Sequence, residues 1–200
     1  MKASGLEWST AAATMPGETV SGDRHWAGPV ANGMIFAVID GLGHGRAAAA
    51  ASKIAVAMLQ QYAGEPLIEL LQRCHESLRA TRGVAMSLAK VNIEDSVLTW
   101  IGVGNVEGAL LHREPQLPCD KLLLRSGVVG SHLPMLRAEE LPIRPGDILT
   151  MVTDGVTTEH PLRVAMDAKI ESVADGILAS ARKGTDDALV LAARYRGAQP

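Results

Sequence analysis

With 200 residues, 47% of them hydrophobic and 20% charged, the chain has the make-up of a globular protein and the length of a single domain spanning residues 1–200. A formal net charge of -3, a pI near 6.1 and only 3% aromatic residues exclude the basic, stacking surface on which nucleic-acid binding rests. Two cysteines in unlike contexts, Cys74 on a helical stretch and Cys119 in the loop-like QLPCDK, offer neither a disulfide framework nor a CxxC site, and fit a reducing cytoplasm.

In chain order, LEWSTAAA (residues 6–13) and GDRHWAGPV (22–30) read as two strands separated by turn-rich sequence, and GMIFAVID (33–40) reads as a short buried strand. From residue 46 to 62 an Ala-rich stretch has high helix propensity. After GEP a second helix is expected, with Leu67, Leu70, Leu71, Cys74 and Leu78 at helical spacing. The longest apolar segment, around residues 47–59, is interrupted by Ser52 and Lys53, and MKASGLEWSTAAATM has no signal-peptide core, so neither a membrane span nor secretion is expected.

The runs GVAMSLAKVN, SVLTWIGVGN, EGALLHR and DKLLLRSG, split by turn signals, predict an antiparallel meander over the middle of the chain. RPGDILTMVTDGV is a turn followed by an apolar strand. The segment 165–182 places Ile170, Val173, Ala174, Ile177, Leu178 and Ala181 on one helical face, and DDALVLAARYR is a final strand. Strands, two helices, a run of strands, a helix and a strand suit two packed sheets flanked by helices better than an alternating parallel sheet. Trp8, Trp26 and Trp100 fall on strands as packing residues, and Met34, Met58, Met86 and Met151 as core filler.

Chemistry enters through the acids. Asp23 follows Gly22, Asp40 ends one apolar strand, Asp154 ends another, and Asp186 with Asp187 opens the last. Any one of these Asp-Gly steps is an ordinary turn. Their recurrence at apolar strand ends says more: if the ends converge, several carboxylates share one small volume and need cations to stay ionised. Hard oxygen donors without thiols or spaced histidines point to Mg²⁺ or Mn²⁺.

SGD (Ser21 to Asp23), DGLGHG (Asp40 to Gly45), GVGN (Gly102 to Asn105), TDG (Thr153 to Gly155) and GTDD (Gly184 to Asp187) together resemble the ordered motif set of the PPM family of metal-dependent serine/threonine protein phosphatases, in particular the bacterial branch that includes SpoIIE. The likeness runs over nearly the whole chain. With GSHLP (Gly130 to Pro134) in its middle, the chain is most similar within that branch to stressosome feedback phosphatases.

The resemblance implies an α+β fold, a four-layer α-β-β-α sandwich of two antiparallel sheets flanked by helices, with two Mn²⁺ or Mg²⁺ ions at one end. Carried over by motif, Asp40 bridges both metals and Gly41 offers its carbonyl to one. Asp23, Asp154 and Asp186 complete the second metal's shell, with Asp187 in support. Hydroxide held between the ions would attack phosphorus in line. The substrates implied are phosphoserine or phosphothreonine proteins of the stressosome, of the RsbR and RsbS type, in negative feedback on stress signalling, with the enzyme a monomer.

Two departures stand out. The eukaryotic branch resembles DGHGG, whereas here Leu42 follows Gly41 and the histidine is His44, which reads equally as proton donor or as the residue that starts the helix. The phosphate-binding arginine of that branch has no clear counterpart; Arg24 and Arg46 lie near the motifs but read as solvated surface charge. His25, His75, His112, His132 and His160 lack metal-ligand spacing and read as structural. Two rival functions follow: an inactive or weak PPM-like module that binds phosphoprotein, and a phosphatase of small phosphate esters. Residues 114–145, proline-rich and poorly periodic, are expected to face the partner.

Overall fold

The computed structural model describes residues 2–3, 5–157 and 164–198, so the reading of His160 lies outside the described residues. The elements are β1 (Lys2–Ala3), β2 (Leu6–Ala13), β3 (Asp23–Val30), β4 (Gly33–Gly41), α1 (Gly45–Tyr62), α2 (Leu67–Leu78), β5 (Val84–Asn92), β6 (Val97–Val103), β7 (Glu107–Leu111), β8 (Asp120–Lys121), β9 (Leu124–Arg125), β10 (Glu139–Pro142), β11 (Ile148–Val152), α3 (Ile170–Ala181) and β12 (Ala188–Tyr195).

Continuous apolar runs arise here because the central strands are covered on both faces. In β4, Met34, Phe36 and Val38 point into the core between the sheets, while Ile35, Ala37 and Ile39 point into the core beneath the helices. In β12, Leu189, Leu191, Ala193 and Tyr195 face between the sheets, and Ala188, Val190 and Ala192 face α3. One sheet runs β1-β2-β12-β11-β7-β8, and the other runs β10-β6-β5-β4-β3 with β9 on β6. The layers are therefore α1 and α2, sheet, sheet, α3, the four-layer sandwich expected.

Helix α2 buries the five residues its spacing predicts, Leu67, Leu70, Leu71, Cys74 and Leu78. Burial pushes the Cys74 thiol up to about 12, so it is an inert core residue. Trp8 and Trp100 are buried between the sheets, with Trp8 edge-on to Phe36 and to His25. Among the described residues no helix is long and apolar enough to cross a membrane.

The expected meander is corrected. Strands β5 and β6 pair with each other, but β7 pairs with β11 in the opposite sheet. The chain changes sheets at Gly104, whose φ of +96° lies in the left-handed region. A period-two pattern buries one face of a strand without saying in which sheet. DKLLLRSG is likewise two short strands: β8 joins β7, and β9 runs parallel to β6. Strand β10, pairing with the edge of β6, falls in the segment that read as aperiodic. Helix α3 begins at Ile170 rather than near residue 165, because the carbonyls of Met166 and Ala168 accept hydrogen bonds from the buried Arg194 guanidinium instead of from helix amides.

Candidate functional site

Strands β3 and β4 pair so that Asp23 stands directly opposite Asp40. Asp23 is 8% exposed and Asp40 is half-buried. Apolar residues run right up to Asp40 because β4 is covered on both faces, which leaves the carboxylates at the sheet's end with little water. The turn before Asp23 is pressed onto α1: Ser52 Oγ donates to the Gly22 carbonyl, and Gly41 N–H donates to the same oxygen. Gly41 is required for clearance. A Cβ there would lie 2.3 Å from the Ala48 carbonyl oxygen, so a side chain would push the Asp40 strand off the helix.

From the opposite sheet, Thr153 at the end of β11 donates its hydroxyl to Asp23 Oδ2 at 2.6 Å and accepts from Leu189 N–H at 2.9 Å. The neighbouring Asp154 accepts from the Asn105 amide at 2.8 Å. Asp186 Oδ1 accepts from the N–H of Asp187. Asp187, 3% exposed, accepts from Met15 N–H at 2.8 Å and from Gly22 N–H at 2.7 Å, one with each oxygen. Its oxygens clamp both ends of the loop joining β2 to β3, so its geometry is that of a tie. The TDG and GTDD motifs touch: a Cβ on Gly155 would come within 2.0 Å of the Asp187 carbonyl.

The acids lie close enough to raise one another's pKa values. Burial first, then the charges of Asp23, Asp154, Asp186 and Asp187, push Asp40 up to about 8. Burial pushes Asp23 up to about 7 with help from Asp187, Asp154 and Asp186, against the lowering bond from Thr153. Asp154 is raised by burial and by Asp186, with Lys183 and the Asn105 bond opposing. Like charges so placed hold protons unless positive charge is supplied.

Every candidate donor is a carboxylate or carbonyl oxygen, the chemistry of a hard divalent cation. Among the described residues no three His, Cys, Asp or Glu side chains are grouped so as to hold a metal ion by themselves. A cation here would keep water in part of its shell, as Mg²⁺ commonly does. The residues present fit such ions.

His44 is the N-cap residue of α1 but makes no side-chain cap bond; its Nδ1 instead meets Glu18 Oε1 at 2.5 Å. Arg46 is exposed, as expected of surface charge. Arg24 differs from that reading: it is half-buried, and its Nε has no hydrogen-bond partner. A cation the sequence did not single out, Arg82, lies against the DGLGHG loop, where a Cβ on Gly43 would be 2.8 Å from its Nη1. The sequence also gave no role to Thr153, Asn105 or Glu18; the first two sit inside motifs already noticed, and Glu18 carried no signal.

The family model for Stage II sporulation protein E (SpoIIE) matches residues 31–196. Phosphoserine phosphatase RsbX of Bacillus subtilis (strain 168) is 32% identical over 90 residues, 45% of this chain and 45% of RsbX, so the match spans about half of that relative's length. A solved chain from work on the bacterial stressosome, as a modular system adapted to control secondary messenger signaling, is 26% identical with a TM-score of 0.86, covering 94% of this chain and 99% of that one. RsbX solved in complex with magnesium has the same fold, at 21% identity and a TM-score of 0.86 over 95% of both chains.

Proposed function

The chain belongs to the SpoIIE family, and on that premise we propose that it is a metal-dependent phosphatase that removes phosphate from serine or threonine of a partner protein. The observation that carries this reading is the pairing of Asp23 opposite Asp40, with Asp154 and Asp186 near enough to raise Asp40. In this reading Asp40 would serve both of two Mn²⁺ or Mg²⁺ ions, the Gly41 carbonyl would serve one of them, and Asp23, Asp154 and Asp186 would complete the shell of the second. When bound, such ions supply charge against the phosphoryl oxygens and an activated water.

The chain's own residues do the rest. Thr153 and Asn105 fix the carboxylates of Asp23 and Asp154 by donating to them. Asp187 acts in support, holding the loop before Asp23 through Gly22 N–H. His44, exposed at the start of α1, is our candidate for delivering a proton to the leaving serine or threonine oxygen.

The substrates we propose are phosphorylated stressosome regulators of the RsbR and RsbS type, by likeness to RsbX. Residues 114–145 are the proposed partner-facing region. They hold both large exposed apolar side chains among the described residues, Leu123 at 59% and Met135 at 88% exposure. Purified protein assayed on a phosphoserine stressosome protein and on p-nitrophenyl phosphate tests the reading. Turnover of the protein in Mn²⁺, lost in chelator, supports it; turnover of the small ester alone, or activity that resists chelator, refutes it. Leu123→Glu with Met135→Glu should slow the protein substrate and leave the small ester unchanged.

A further inference from the structure

We propose that Glu18 is the positioning residue of His44: its carboxylate holds ring Nδ1 and turns Nε2 outward as the nitrogen that exchanges a proton with the substrate. This rests on the phosphatase reading above. The two residues are 26 apart in sequence and come from different loops, Glu18 from the β2–β3 connection and His44 from the β4–α1 connection.

The first support is the bond itself. An ionised carboxylate can only accept, so the proton of the pair sits on Nδ1, and a neutral ring then carries its lone pair on Nε2. His44 spends nothing on its helix, since it makes no side-chain cap bond.

The second support is Gly45. Its φ of +71° is left-handed, and a Cβ on it would lie 2.8 Å from Glu18 Oε2 and 3.2 Å from Oε1. The last glycine of DGLGHG thus leaves room for the Glu18 carboxylate beside His44. Helix α1 has no acid in its first turn, and Glu18 brings one to that end from outside, where the helix dipole favours it.

The third support is the loop's anchorage. Glu18 N–H donates to the Met15 carbonyl, closing a turn, and Asp187 holds Met15 and Gly22 on either side. The acid that ends the GTDD motif therefore fixes the loop that presents Glu18. Stability does not account for the arrangement. His44 is 58% and Glu18 28% exposed, and an ion pair that open to water contributes little.

Nitrogen NMR of ¹⁵N-histidine-labelled protein reads the arrangement without any assay, with the His44 signal assigned by its loss in His44→Gln. At a pH where the ring is neutral, the wild type should show a protonated Nδ1 and a bare Nε2. Glu18→Ala should lose that tautomer and Glu18→Gln, whose amide oxygen can still accept, should keep it. A wild-type ring protonated on Nε2, or a pattern unmoved in Glu18→Ala, overturns the proposal. In kinetics, Glu18→Ala should lower kcat about 10-fold with KM unchanged, a loss typical of orienting partners. In the His44→Gln background it should cost nothing further; an equal loss there overturns the positioning role. Absence of turnover in the wild type would overturn the phosphatase reading and the use of Nε2, while the ring shifts still decide whether Glu18 holds His44.

Discussion

Thr153 joins the two sheets at the carboxylate cluster, its hydroxyl donating to Asp23 Oδ2 at 2.6 Å while accepting from Leu189 N–H. The donated bond favours ionised Asp23. Thr153→Val keeps the shape but leaves the buried Leu189 N–H unsatisfied, at a cost of about 1–3 kcal/mol. It also raises Asp23 further and so weakens cation binding. Thr153→Ser should restore both. Thermal unfolding and Mn²⁺ calorimetry on the three proteins check this.

Asp40 should make the chelated protein less stable as pH rises. Its folded pKa of about 8 lies above the ordinary 3.8, so between these values the unfolded state binds fewer protons and unfolding free energy falls with pH. Asp40→Asn should flatten this slope and, in chelator at pH 8, exceed the wild type by more than about 1 kcal/mol. Added Mn²⁺ should reverse the order, because it binds the folded wild type more tightly. Denaturant titrations with and without Mn²⁺ measure both effects.

The sandwich was legible because strands buried on both faces must be apolar throughout, as Met34 to Ile39 show, and because α2 repeats its apolar residues at helical spacing. The acids were legible because they stand where those strands stop. Their supports were not: Asn105 finds Asp154 49 residues away and Thr153 finds Asp23 130 away, pairings no local pattern encodes. The glycines after the acids read as turn residues, with Gly41 also offering its carbonyl to a metal. At Gly41 and Gly155 the need is for clearance from Ala48 and Asp187, which only the packed sheets and helix reveal.

His112 is a second pH-sensitive group, at the other end of β7 from the cluster. Nδ1 meets Asp147 at 3.0 Å and Nε2 meets Asp120 at 2.9 Å, and only the imidazolium can donate to both. Burial would lower its pKa, but the bonds and charges of Asp120 and Asp147 raise it overall. Its contribution is therefore complete below the ordinary value of 6.5 and is lost as pH rises through the raised one. His112→Gln should be destabilised at pH 6, by about 3 kcal/mol, with the difference shrinking at higher pH. Thermal unfolding between pH 6 and 9 checks it.

Gly41→Ala should unfold more easily by about 3 kcal/mol or more, since its Cβ meets the Ala48 carbonyl, a backbone atom that cannot swing aside. Urea unfolding of this variant beside Gly64→Ala, where a Cβ meets nothing within 4 Å, isolates the clash.

The most direct test is phosphate release from a phosphoserine protein as free Mn²⁺ is raised, for the wild type and for Asp40→Ala. Release that saturates with Mn²⁺ in the wild type and is at least 100-fold slower in Asp40→Ala, roughly the scale of losing a core catalytic group, is the result predicted. Equal release by the two proteins, or release undiminished when Mn²⁺ is chelated, would contradict it.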